Sequence, residues 1–214
     1  MDITSLRGKI RRLIQTHSSS FINEIERSNF SCARCGWCCR RNFDIKINDN
    51  ISRPSNAISI FPGDIRRIIK MTGHTWEEVA EPDKYSCFSE GDEVLVIGWI
   101  LKRNEEENCV FYRNQECMIY NCRPLICRCY PFFMGEEGIE IMYCEGLEKN
   151  TLNEKSLEIS RSLKRYEIKK LHSYIRIIKQ IGDKLNIAAM KSLPEKYSGD
   201  VLVFDGESVS RCKL

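Results

Sequence analysis

Histidine is scarce in this chain of 214 residues: only His17, His74 and His172 occur, and none lies beside the cysteines. That shortage, with no recognisable nucleophile–base pair, argues against ordinary acid–base hydrolysis. Long apolar runs are missing too. The longest, residues 94–101 (VLVIGWIL), falls far short of the roughly 20 residues that span a bilayer and reads as a buried strand. The first residues, MDITSLRGKIRRLIQTHSSS, show no apolar h-region and no small-residue cleavage site. Arg7, Lys9, Arg11 and Arg12 read as the basic face of a surface helix rather than as a transit peptide. A net charge of +3 with interspersed signs gives no case for nucleic acid or an acidic membrane as partner. There is no repeat, no low-complexity tract and no G-x-G-x-G run after a strand. Without an export signal the expected location is a reducing cytoplasm, where disulfides are rare. Cysteine, at about 6% of residues, stays below the roughly 8–10% of a short disulfide scaffold.

What is present is a patterned set of twelve cysteines. Cys32-x2-Cys35-x2-Cys38-Cys39 opens it, and Cys109, Cys117, Cys127 and Cys144 resume it. Two residues between ligands let both sulfurs converge on one centre, and Gly36 relieves the backbone where it must turn with positive φ. The second three-residue step, to Cys38, matches the start of a bacterial ferredoxin run, but that run continues x3-Cys-Pro where this chain has Cys39. Adjacent Cα atoms lie about 3.8 Å apart and neighbouring side chains diverge in extended backbone. Cys38 and Cys39 thus serve two neighbouring centres more easily than one. The eight patterned cysteines suffice for two four-thiolate sites, or for one centre with spare thiols. Pro124 and Pro131 stiffen the chain around Cys127. Arg123 and Arg128 are candidate hydrogen-bond donors to anionic sulfur. Cys87, Cys122, Cys129 and Cys212 lie off the pattern and read as free or buried thiols. Soft thiolates select zinc, Cu(I) or iron–sulfur clusters.

The pattern around these residues predicts an α+β fold: a small irregular cysteine-rich core with short antiparallel strands, flanked by an N-terminal helix and a long C-terminal helix. Apolar residues at helical spacing from Ile3 to Ile25 give the first helix, interrupted at Ser18-Ser19-Ser20. Asp64 is expected to cap a helix carrying Ile65, Ile68 and Ile69 and stopping at Gly73. Thr75-Trp-Glu-Glu78 fits a capping box, with that helix ending before Pro82. Short strands are expected at 94–101, 109–112, 117–120 and 139–143, with a turn at Gly135-Glu-Glu-Gly138. Residues 152–187 form the longest amphipathic stripe, ended or kinked by Gly182 and read as core packing. VLVF at 201–204 is expected as an edge strand. Trp37, Trp76 and Trp99 read as core or as shielding of the centre. Three segments follow: 1–29, a helical segment; 30–147, the metal- or cluster-binding domain; and 148–214, a long helix and short tail.

CARCGWCC (32–39), PGDIRRI (62–68), NCVFY (108–112) and CMIYNCRPLICRCYPF (117–132) together resemble the cysteine-cluster family named for its CxxCxxCC signature, the YkgJ-like proteins described as zinc- or iron-chelating. The likeness covers roughly residues 30–147. It implies metal binding and little about reaction; some relatives carry the module beside lysine N-methylation of flagellin. The favoured expectation is an iron–sulfur protein, of [4Fe-4S] type, that transfers electrons or helps to assemble or activate a partner metalloenzyme within a protein complex. A structural Zn2+ interaction module is the second expectation, and an N-methylase-like or redox enzyme the third.

Overall fold

The computed structural model describes residues 2–48, 51–90, 92–135, 138–149, 155–182, 190–194 and 197–214. Six α-helices lie among them: α1 (Ile3–Gln15), α2 (Ile22–Arg27), α3 (Pro62–Thr72), α4 (Trp76–Val79), α5 (Leu125–Cys129) and α6 (Ser156–Ile181). Short strands, most of them in antiparallel pairs, complete an α+β fold. Among the described residues no helix is long and apolar enough to cross a membrane. The chain forms two compact units, each assembled from two stretches: residues 1–38 with 111–172, and residues 39–110 with 173–214.

In the first unit α1 ends where the Thr16 amide donates to the Arg12 carbonyl, and a short 3-10 turn at Ser18–Phe21 re-enters helix as α2. The serine triplet therefore interrupts the stripe as expected. The opening part of α6 is pinned to this corner. Lys164 Nζ donates to the Ile14 carbonyl at 3.1 Å, Ser156 Oγ to Glu26 at 3.0 Å, and Ser160 Oγ to the Ser18 carbonyl. Ile25, Phe30, Phe132, Ile159 and Leu163 pack into one buried cluster that also takes in Cys129 and Cys144. The strands here are short: Tyr112–Arg113 with Glu116–Cys117, and Phe132–Met134 with Ile139–Ile141. The expected strands 109–112, 117–120 and 139–143 are thus shorter than their apolar runs. The chain turns at Asn114 and Gln115, both with positive φ, and winds into a 3-10 turn at Tyr120–Cys122. The Gly135 amide closes on the Gly138 carbonyl at 2.8 Å; Glu136 and Glu137 of that expected turn lie outside the described residues.

The second unit is sheet-rich. Gly98, at φ +76°, breaks the apolar run 94–101 into Glu93–Ile97 and Trp99–Leu101, which join different sheets. The first pairs with Cys87–Glu90 and, in parallel, with Asp200–Phe204, which pairs in turn with Val209–Lys213. Residues 201–204 are therefore an inner strand and not an edge: Val201 and Val203 are buried, and the sequence between the paired strands hides that partnership. Ser59–Ile60 and Ala80–Pro82 flank Trp99–Leu101. The start of α3 also differs from expectation. Phe61 is the N-cap and Pro62 takes the first turn, where its missing N–H costs nothing. Asp64 sits inside the helix, buried, and meets Arg67 at 2.6 Å. Gly73 ends α3 in the left-handed conformation, and the Thr75–Glu78 capping box is formed reciprocally at the head of α4. Gly182, at φ +64°, follows the end of α6; residues 152–154 and 183–187 of the expected stripe lie outside the described residues.

Candidate metal centre

None of the twelve cysteines is joined in a disulfide. Six of the eight patterned ones, Cys32, Cys35, Cys38, Cys117, Cys127 and Cys144, belong to the first unit, whereas Cys39 and Cys109 belong to the second.

The approach of the first loop to Cys144 is built by backbone. The Ser31 amide donates to the Gly146 carbonyl at 2.8 Å, Glu148 to Ser28 at 3.1 Å and Lys149 to Asn29 at 3.2 Å. A Cβ on Gly146 would lie 2.2 Å from the Ser31 carbonyl oxygen, so only glycine permits this zipper. Within the loop, Arg34 and Gly36 both adopt positive φ, at 55° and 73°. Two left-handed residues curl Cys32–Cys38 into a tight wrap. A Cβ on Gly36 would collide with the Tyr112 ring at 2.1 Å, while the Tyr112 hydroxyl donates to the Cys35 carbonyl at 3.4 Å.

The thiols then feel one another. Burial first, and after it the crowding by Cys35, Cys38 and Cys32, pushes the Cys144 thiol up to about 11 against an opposing hydrogen bond from the Gly146 amide. Burial likewise raises Cys35, with Glu145 and Cys38 adding to it, and raises Cys117, with Cys38 and Cys122 adding to it. Cys38 is thus the node shared by both groups. Three of these sulfurs accept the amide two residues ahead: Cys35 from Trp37, Cys117 from Ile119, and Cys144 from Gly146, the last at 3.4 Å. Such N–H donors favour the thiolate, the form that binds metal. Sulfurs crowded enough to repel one another as anions, three of them supplied with a donor, are a donor set that a soft cation would satisfy. The residues therefore fit the metal that their type implies. Among the described residues no group of three or more His, Cys, Asp or Glu side chains is placed to hold a metal ion, so the thiols lie near enough to influence one another without forming a coordination sphere.

Aromatic rings and arginines surround this cluster. Trp37 meets Tyr143 edge to face at 4.9 Å, and Phe30 meets Phe132 at 5.4 Å. Arg34 and Arg123 both lie on the Tyr120 ring, at 4.5 and 3.7 Å. Arg123 also donates to the Tyr120 carbonyl at 2.9 Å and the Cys127 carbonyl at 3.5 Å, and its charge lowers the Cys117 thiol. It is placed to tie the two cysteine-bearing turns together. Arg128 donates to the Arg123 and Asn121 carbonyls at 3.0 and 3.3 Å and so shapes the same loop. Cys127 rides on α5. In the second unit the Cys109 amide donates to the Cys39 carbonyl at 2.8 Å, and buried Asn56 donates to the Cys39 and Glu107 carbonyls at 3.3 and 2.6 Å.

Sequence reasoning missed Glu145, which hydrogen-bonds Cys35, and Asn56, because both act across long chain separations. It set Cys122 aside, yet that buried thiol lies close enough to affect Cys117. The short Cys117-x4-Cys122 spacing was its only visible signal.

The family described as "CxxCxxCC: Putative zinc- or iron-chelating domain" matches residues 31–152. The chain belongs to this family. Membership supports metal binding as its general chemistry and leaves zinc and iron open. No curated protein and no solved structure matches the chain.

Proposed function

We propose that this chain is an iron–sulfur cluster-binding accessory protein that passes electrons to, or helps assemble or activate, a partner metalloenzyme in a reducing compartment such as the cytoplasm. The observation that carries the reading is the delivery of Cys144 into the Cys32–Cys35–Cys38 loop, with backbone amides donating to the sulfurs. Cys32, Cys35, Cys38 and Cys144 would hold the first centre; the remaining proposed ligands are Cys117 and Cys127 in the first unit and, separately, Cys39 and Cys109 in the second. A cluster bound there would supply one-electron chemistry at a potential set by N–H···S bonds and solvent access. Arg123 would hold the two turns in register and offset sulfur charge, while Trp37, Tyr143 and Tyr120 limit water at the loop.

A structural zinc module is the second reading, favoured by the place of Cys144 inside the apolar cluster of α2 and α6. A tetrathiolate ion there would fasten the core and needs no open position. Elemental analysis, acid-labile sulfide and electron paramagnetic resonance on protein purified without oxygen decide between them. Iron and sulfide in stoichiometric amounts, with colour lost in air, support the first reading. A colourless protein holding zinc replaces it with the second.

A further inference from the structure

Arg34 occupies a backbone position that glycine would take more easily. It lies between Cys32 and Cys35 with φ 55°, in the left-handed region, which side-chain-bearing residues other than Asn, Asp and His seldom enter. Gly36, two residues on, adopts a similar φ of 73° without strain. The CxxCxxCC signature leaves position 34 open, so neither the wrap of the loop nor the family pattern asks for arginine. Strain of this kind persists where the surroundings hold it, and it points to a task for the side chain.

That side chain reaches Tyr120. Its guanidinium carbon stands 4.5 Å from the centre of the ring, within cation–π range. Tyr120 belongs to the other cysteine-bearing stretch of the first unit, in the 3-10 turn Tyr120–Cys122 that falls between Cys117 and Cys127. Arg34 is exposed and meets no carboxylate among the described residues. It meets a like charge instead: Arg123 stands 3.7 Å from the same ring centre, so the two guanidinium carbons are at most about 8 Å apart, roughly one Debye length in physiological salt. Ring attraction and like-charge repulsion thus oppose each other at Arg34, and an anion nearby decides the balance. The cysteines supply that anion when they bind metal, because ligating thiols lose their protons and four thiolates outweigh a divalent ion. Cys32 is exposed whereas Cys144 is buried, so the loop that carries Arg34 is the side of the site that faces water.

We propose that Arg34 is a latch on the metal site: its guanidinium fastens the Cys32–Cys38 loop to Tyr120, the contact tightens when the cysteines bind metal, and escape of the metal is slowed. Arg34 is a positioning residue in this role, acting on the metal through the loop that carries Cys32 and Cys35. The latch requires metal binding by these cysteines and works alike for zinc and for iron.

The test is release of Zn2+ from the zinc-loaded full chain to an excess of a chromogenic chelator, without oxygen, at low and at high salt. Arg34→Gly keeps the left-handed backbone and removes the cation. It is expected to release zinc about two- to fivefold faster than the wild type at low salt, the factor that an exposed cation–π contact is worth. High salt should shrink that ratio. Arg34→Lys keeps a charge for the ring and should restore slower release, and Tyr120→Phe keeps the ring and should match the wild type. The melting temperature of the metal-free Arg34→Gly chain should not fall, because glycine relieves the strain. A wild-type rate in Arg34→Gly, no rescue by Arg34→Lys, or a lower melting temperature of the metal-free Arg34→Gly chain would overturn the proposal. Cys35→Ser separates this outcome from a failure of the metal reading. If Cys35→Ser holds zinc as firmly as the wild type, the ligands are misassigned and the latch falls with them; if it loses zinc while Arg34→Gly releases at the wild-type rate, the latch alone is wrong.

Discussion

In the cysteine-bearing unit, the buried cluster of Ile25, Phe30, Phe132, Ile159 and Leu163 includes two thiols, and the loops carrying Cys32–Cys38 and Cys117–Cys127 are turns more than strands. In the other unit, Val96, Ile100, Val201 and Val203 are wholly or almost wholly buried in two sheets. Sheet burial of aliphatic side chains sustains itself. Turns that carry thiols have less of that support, and metal binding at such a site is coupled to folding. On the proposed reading metal completes the first region, whereas the sheets of the second are held by their own burial.

Metal removal should separate them most. On chelation, amide hydrogen exchange is expected to lose protection over residues 28–38 and 139–149 while 93–101 and 200–213 keep theirs, because binding is coupled to folding at the site. Cys35→Ser and Cys127→Ser should reproduce that pattern and lose metal, whereas Cys212→Ser should do neither. Equal metal content in all three variants would show that the ligands have been misassigned.

A core truncation should produce the opposite pattern. Ile100 is fully buried with Ile51, Ala57 and Tyr85, and Ile100→Ala is expected to cost about 2–5 kcal/mol. Urea denaturation should register that loss at unchanged metal content. If metal content falls with it, the two units do not hold their structure independently.

Two glycines sharpen the contrast. Gly36 and Gly98 have nearly the same φ, 73° and 76°, but a Cβ on Gly36 strikes the Tyr112 ring whereas one on Gly98 meets open space. Gly98→Ala should cost only the left-handed backbone penalty, about 1–2 kcal/mol. Gly36→Ala should cost more and also weaken metal binding, since it displaces the ring that donates to the Cys35 carbonyl. Thermal melts and metal titration of the two variants check this; equal losses would mean the wrap around Cys35 tolerates displacement.

These cases mark what could be read from sequence. The capping box at Thr75–Glu78, the stop at Gly73 and the break after Gln15 are local, each decided within a few residues. Asp64 misled because Pro62, two residues earlier, supplies a better helix start than an acidic cap. The strand at Asp200–Phe204 was visible by its apolar run, but not its parallel partner Glu93–Ile97 across more than a hundred residues. In the candidate site the C-x2-C-x2-C wrap was legible, since spacing and Gly36 fix it. Cys144 was legible as a candidate ligand but its place beside this loop was not, because a backbone zipper between residues 28–31 and 146–149 sets it. Cys38 and Cys39 were expected to serve two neighbouring centres; the backbone shows only that the Cys39 carbonyl accepts from the Cys109 amide and from Asn56.

The smallest effects belong to the helix caps, one in each unit. Thr75→Ala removes half of a reciprocal capping box in the sheet-rich unit and is expected to cost about 1 kcal/mol. In the cysteine-bearing unit Asp2 accepts the Ser5 amide at 2.9 Å at the head of α1, and that bond holds its carboxyl below the ordinary value. A depressed acid stabilises the fold above its unfolded pKa and ceases to as pH falls through the lower folded one. Asp2 is fully exposed, so solvent screens the bond and Asp2→Ala should cost less than Thr75→Ala. Its signature is the sign of its pH dependence: the loss of Ser5 amide protection in Asp2→Ala should be present at neutral pH and vanish in acid, while the Thr75→Ala deficit, carried by a hydroxyl, should persist there. A Ser5 amide equally protected in both proteins at neutral pH would show that α1 frays past its cap and that this end of the unit is held by Leu6 and Ile10 alone.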